Sequence, residues 1–157
     1  MDQGNTAFVL ISAALVLLMT PGLAFFYGGM VKAKSVVSMM MLSFGSLGLI
    51  AVLWVLYGYA ISFSNAGTST FFGVDGWFGI DTSFLGLSAQ VADAAAPAGA
   101  FPSMAFVAFQ ATFAIITVAL ISGAIADRAK FGAWMVFAGL WATLVYFPVA
   151  NWVFNFT

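Results

Sequence analysis

Four long uncharged runs alternate with short charged or glycine-rich interruptions along this chain. The first, Ala7 to Val31, holds no Asp, Glu, Lys or Arg and closes on Lys32 and Lys34. A second fits residues 36–63, a third fits 103–126 and ends in Asp127, Arg128 and Lys130, and a fourth fits 131–154. At ~1.5 Å rise per residue, about 20 apolar residues cross a ~30 Å hydrocarbon core, so each run predicts a membrane-spanning helix. Lys32 to Ser35 is then a short turn between an antiparallel pair. The connection 64–102 differs in kind. It carries Asp75, Asp81 and Asp93, six glycines between Gly67 and Gly99, and the run ADAAAPAGAFP. That composition predicts an exposed connection with a short helix around Gln90 to Ala96. Phe71, Phe72, Trp77, Phe78 and Phe84 predict that part of it folds onto the membrane surface.

Pro21 and Gly22 interrupt the first run. Proline removes a backbone donor, and the carbonyl it frees needs a partner inside the protein, for which the Thr20 hydroxyl or a neighbouring helix is available. Small residues at Gly28, Gly29, Gly45, Gly48, Ala119 and Gly123 favour close helix approach, with Phe25, Phe26 and Tyr27 packed beside them. Trp54, Tyr57 and Tyr59 fall near the far end of the second run, where aromatic side chains sit well at headgroup level.

Composition agrees with the pattern. The chain is 64% hydrophobic and 6% charged, with a mean hydropathy of +1.11, against ~45–50% apolar residues in soluble domains. It is therefore an integral membrane protein, and its expected partner is the lipid bilayer. A net charge of -1 with four basic residues leaves no extended basic face for nucleic acid. The absence of cysteine and histidine removes disulfides, thiolate chemistry, zinc sites and histidine proton relays within these residues. No metal-ligand spacing joins the three loop aspartates, and no intramembrane carboxylate pair offers a general base, so an enzyme is not expected. The start, MDQGNTAF, lacks the basic segment of a secretory signal, which predicts that the first helix is retained. All four basic residues fall in the two short connections. By the positive-inside rule those connections are expected in the cytoplasm, with both termini and the long connection outside.

The candidate chemistry lies in the third run. Phe106, Phe109 and Phe113 follow at i, i+3 and i+7, which predicts one stripe of rings near the end opposite the basic residues. Ring faces attract cations, although a phenylalanine stripe in a chain with 18 of them also suits lipid contact or helix packing.

Four segments together resemble the Amt/Mep/Rh ammonium transporter family. They are TPGLAFFYGGMVKAKS, LWVLYGYA, AFQATFAIITVALISGAIADRAKF and YFPVANWVFNF, in that order along the four runs. The resemblance implies an all-α integral membrane protein whose four transmembrane helices form part of an eleven-helix ammonium transporter fold. It also implies a homotrimer of full-length subunits, each with its own apolar pore and no cofactor. The implied substrate is ammonium/ammonia or methylammonium. Matched by motif, Phe109 is the ring of the outer mouth, Phe113 is the outer gate, and Phe154 stands where relatives carry a tryptophan that caps the cation. Gln110 and Trp152 are secondary candidates for the same site. Trp152 points elsewhere on a regular helix, and local unwinding after Pro148 would redirect it. Asn151 occupies a position where relatives often carry histidine. The family's paired pore histidines and second half have no counterpart up to Thr157. This resemblance therefore implies a partial transporter, and a nonconducting helix module is the alternative.

Overall fold

The computed structural model describes residues 2–64, 79–80, 82–92 and 101–154. Asp75, Asp81, Asp93, Phe71, Phe72, Trp77 and Phe78 lie outside the described residues. Among the described residues four helices are long and apolar enough to cross a membrane: Gln3–Met30, Ala33–Ser62, Ser103–Ile125 and Phe131–Phe154. Between the second and third lies a short helix, Ser88–Ala92, which overlaps the start of the helix expected around Gln90 to Ala96, whose residues 93–96 lie outside the described ones.

Local chemistry sets the ends. The Asp2 carboxylate accepts from the Gly4 N–H at 3.0 Å and caps the first span, while Val31 turns extended and stops it. Pro102, extended at ψ 138°, leads into the third span. That span ends where Ala126 leaves helical geometry and Asp127 takes a φ of 62°. Reversal within so few residues forces the first and second spans, and the third and fourth, to run antiparallel.

The second span is central and packs against the other three. Its Trp54, together with Trp134 of the fourth span and Phe147, is almost wholly buried. Both indoles are anchored across helices. Trp54 Nε1 donates to the Val107 carbonyl at 3.2 Å, and Trp134 Nε1 reaches the Leu42 carbonyl and Ser46 Oγ, each at 3.0 Å. An indole N–H without a partner in an apolar interior costs several kcal/mol, so these bonds fix helix register as well as satisfying the donors.

The first span buries only Ala13, Thr20, Ala24 and Gly28. Small residues let it lie close to its neighbours, and Gly28 meets Met40 and Val36 where a Cβ would stand 3.3 and 3.4 Å from them. The ring pattern at its end divides. The hydroxyl end of the Tyr27 ring packs on Gly123, whose added Cβ would fall 2.7 Å from Cζ, and its hydroxyl donates to the Leu120 carbonyl at 3.0 Å. Phe25 and Phe26 stay exposed. Among the described residues the buried Thr20 hydroxyl has no hydrogen-bond partner, so it does not serve the carbonyl freed by Pro21.

Contacts at each end establish sidedness within the molecule. Phe63 meets Phe106 with ring centroids 5.1 Å apart, Asn151 reaches the end of the second span, and Gln3, Thr6 and Leu10 share a notch with Pro102. Tyr27 and Gly123 meet at the other end. The four basic residues, Lys32, Lys34, Arg128 and Lys130, therefore occupy one end of the bundle, and Phe63, Phe106 and Asn151 the other.

Candidate outer-mouth aromatic site

Phe109 and Phe113 lie one helical turn apart, and their rings meet edge to face, with centroids 5.0 Å apart and planes at 75°. Phe109 is half-buried and Phe113 is 37% exposed, so the pair sits on an open face of the third span at the end away from the basic residues. Two threonines attend the same turns. Thr112 Oγ1 donates to the Phe109 carbonyl at 2.6 Å, and Thr117 Oγ1 to the Phe113 carbonyl at 2.7 Å. The carbonyls beside the rings are thus engaged, and the rings are what this face presents to a cation. An edge-to-face pair leaves both faces of the edge-donating ring free of its partner.

Phe106 leaves the stripe that its spacing predicts. Its ring packs against Phe63 at 5.1 Å and Phe101 at 6.3 Å, beside the buried core, so helical spacing alone did not fix where it is used. Gln110 is half-buried on the third span.

Phe154 and Trp152 sit in the last turns of the fourth span, both exposed. Among the described residues no ring contact joins Phe154 to the Phe109–Phe113 pair. The redirecting turn lies before Pro148 rather than after it. Ala142–Tyr146 is a π-turn, and Phe147–Phe154 beyond it is α-helical. Proline supplies the physical link, because it has no N–H to donate to the preceding turn and its ring crowds the carbonyl there, a conflict that a wider turn relieves.

Asn151 is 6% exposed, and its Nδ2 lies 3.1, 3.2 and 2.9 Å from the carbonyls of Ile61, Ser62 and Ser64. It closes the end of the second span from a different helix and so ties the second span to the fourth. Sequence reading missed this role, for which the only signal is one amide in an apolar run.

Sequence reading also missed a second π-turn, Trp54–Gly58, in the second span. The two wide turns face each other. The Tyr57 hydroxyl meets Thr143 Oγ1 at 2.8 Å, and the Phe147 ring fills the space left by the missing side chain of Gly58. Gly58, and Pro148 just beyond the other turn, are faint signals of them. Among the described residues no three His, Cys, Asp or Glu side chains come together as a metal site.

Comparison with known proteins bears on what this arrangement belongs to. The chain is 59% identical over 162 residues to the "Ammonium transporter" of Mycobacterium tuberculosis (strain H37Rv) and 46% identical over 155 residues to that of Bacillus subtilis (strain 168). Each alignment covers 99% of this chain but 34% and 36% of the relative, so the chain spans about a third of the length of the curated relatives it matches. Among solved structures it resembles Saccharomyces cerevisiae Mep2, with a TM-score of 0.82 and 29% identity over 99% of this chain and 35% of that one. Candida albicans Mep2 gives the same TM-score of 0.82 at 26% identity, covering 99% of this chain and 32% of that one. Residues 7–157 match the profile of the Ammonium Transporter Family, and with four apolar spans in the Mep2 arrangement, this chain belongs to that family.

Proposed function

We propose that this chain contributes the outer mouth and first four helices of an ammonium transporter, with Phe109, Phe113 and Phe154 attracting ammonium or methylammonium from outside the cell. The observation that carries the reading is the Phe109–Phe113 pair, a partly exposed edge-to-face couple with its flanking carbonyls occupied, at the end opposite all four basic residues. The names of the relatives supply the substrate class.

Magnitudes decide how far such a site can act. A cation over a ring gains about 0.5–2 kcal/mol. Moving a bare ion into a medium of low dielectric costs tens of kcal/mol by idealised solvation estimates. The rings therefore concentrate the cation at the mouth, and the species that passes the apolar interior is the neutral amine. Desolvation favours the same outcome by disfavouring the charged form of an ammonium-like group. This chain has no histidine, so proton handling falls to groups outside these residues. The same reading puts the basic turns in the cytoplasm and assembles full-length subunits as trimers. Native mass spectrometry of the intact protein tests the assembly, and a monomeric mass refutes it.

The direct test is methylammonium uptake by the intact protein carrying Phe113→Ala. Loss of one ring contact is expected to raise KM roughly two- to thirtyfold. Unchanged uptake, KM and selectivity against potassium would remove that ring from the mechanism.

A further inference from the structure

We propose that the two π-turns form one coupled joint that sets the direction in which Phe154 points, with Tyr57 and Thr143 as its positioning residues. The inference rests on the reading of Phe154 as part of the outer cation site.

A π-turn holds one residue more than an α-turn. Everything beyond it is rotated by about 100° relative to an uninterrupted α-helix. The turn Ala142–Tyr146 lies two helical turns before Phe154, so its presence decides which side of the fourth span carries that ring. The same rotation brings Asn151 to the carbonyls of Ile61, Ser62 and Ser64, and the observed azimuth is thus held at its outer end.

Three hydrogen-bonding groups hold the turn itself. At its entry the Ala142 N–H is shared between the carbonyls of Ala138 and Gly139. Thr143 Oγ1 adds a donor to the Gly139 carbonyl at 2.8 Å. A threonine hydroxyl has one hydrogen, and this bond uses it, so in the 2.8 Å contact between Tyr57 and Thr143 the tyrosine must be the donor. Tyr57 belongs to the other π-turn. The chain Tyr57 to Thr143 to Gly139 therefore runs from one wide turn into the other. Beside it, Phe147 seals the joint sterically. Its ring sits against Gly58 and contacts Trp54 and Tyr57 at centroid distances of 5.8 and 6.0 Å. Neither turn can tighten into an α-turn without moving the other. Trp54, in the same turn as Tyr57, also holds the Val107 carbonyl just before Phe109, so the joint reaches the helix that carries the other two rings.

The test is methylammonium uptake by the intact protein, with KM and Vmax normalised to transporter at the cell surface. Thr143→Val removes the hydroxyl donor to the Gly139 carbonyl, which keeps only its share of the Ala142 N–H, and leaves the Tyr57 hydroxyl unpaired. It is expected to raise KM about three- to tenfold at unchanged normalised Vmax, the range of one net hydrogen bond. Tyr57→Phe should shift KM in the same direction by less, and it serves if the valine variant fails to reach the surface. Thr143→Ser keeps the hydroxyl and should behave as the parent. An unchanged KM in both Thr143→Val and Tyr57→Phe overturns the joint. Phe154→Leu and Phe109→Leu, measured alongside, separate the two readings. If they raise KM and the threonine variant does not, only the joint fails. If neither ring variant changes KM, the mouth reading fails, and a KM shift in Thr143→Val then overturns the route through Phe154.

Discussion

Adding one methyl group at Gly58 tests the packing on which the joint depends. A Cβ there would lie 2.6 Å from Phe147 Cζ, 2.9 Å from Cε1 and 3.1 Å from Cε2. Ordinary carbon contacts are about 3.5–4.0 Å, so the ring has to retreat by roughly 1 Å. It has nowhere to go. Phe147 is 0% exposed and is walled by Trp54, Tyr57 and Tyr146 at centroid distances of 5.8, 6.0 and 6.0 Å. Forced overpacking of this kind costs about 1–3 kcal/mol, against a helix-propensity gain of about 1 kcal/mol for Gly→Ala. The two terms are separated by a control at Gly48, in the same span, where an added Cβ meets nothing within 4 Å. Gly48→Ala collects only the gain. In a titration of the purified intact protein with SDS in mixed micelles, followed by tryptophan fluorescence, Gly58→Ala should therefore be less stable than Gly48→Ala by about 1–3 kcal/mol. Combining it with Phe147→Leu should recover part of the loss, a coupling expected between groups in contact. Equal stability of the two alanine variants would refute the account of Gly58 as the socket for the Phe147 ring.

Asn151→Ala removes the donor to the carbonyls of Ile61, Ser62 and Ser64, and the same titration should show a loss of about 1–3 kcal/mol, whereas a change within error would mean that those carbonyls are satisfied otherwise. Orientation is open to thiol labelling in an intact protein freed of any other cysteine, since these residues contribute none. On intact cells a membrane-impermeant maleimide should modify Gln3→Cys and spare Lys34→Cys, and labelling of the lysine-turn variant would invert the proposed topology.

The four spans and the grouping of basic residues are legible in sequence because the bilayer leaves little choice. An uncharged run of this length must satisfy its own backbone, and only a helix does so along one segment. Lysine and arginine in two short turns then sort the ends, and the fold keeps Lys32, Lys34, Arg128 and Lys130 together at one end. Phe109 and Phe113 could be paired from their spacing, and their rings do meet.

Where each side chain points around its helix was left to the tertiary structure. These helices are apolar on nearly every side, so hydrophobic periodicity, which marks a buried face in a soluble helix, carries little information here. Phe106 shares the spacing of the ring pair yet turns to Phe63 and Phe101, because the end of the second span lies beside it. Thr20 is an expected partner for the carbonyl behind Pro21, but its hydroxyl makes no bond among the described residues. The two π-turns each shift by a residue the register on which any spacing argument relies, and only contacts such as Tyr57 with Thr143 and Phe147 with Gly58 hold them in place. Sequence by itself determined how many times the chain crosses and which ends lie together, since transfer into lipid acts on whole segments. The azimuth of single rings follows from close packing between helices, which acts atom by atom and exists only once the helices have met.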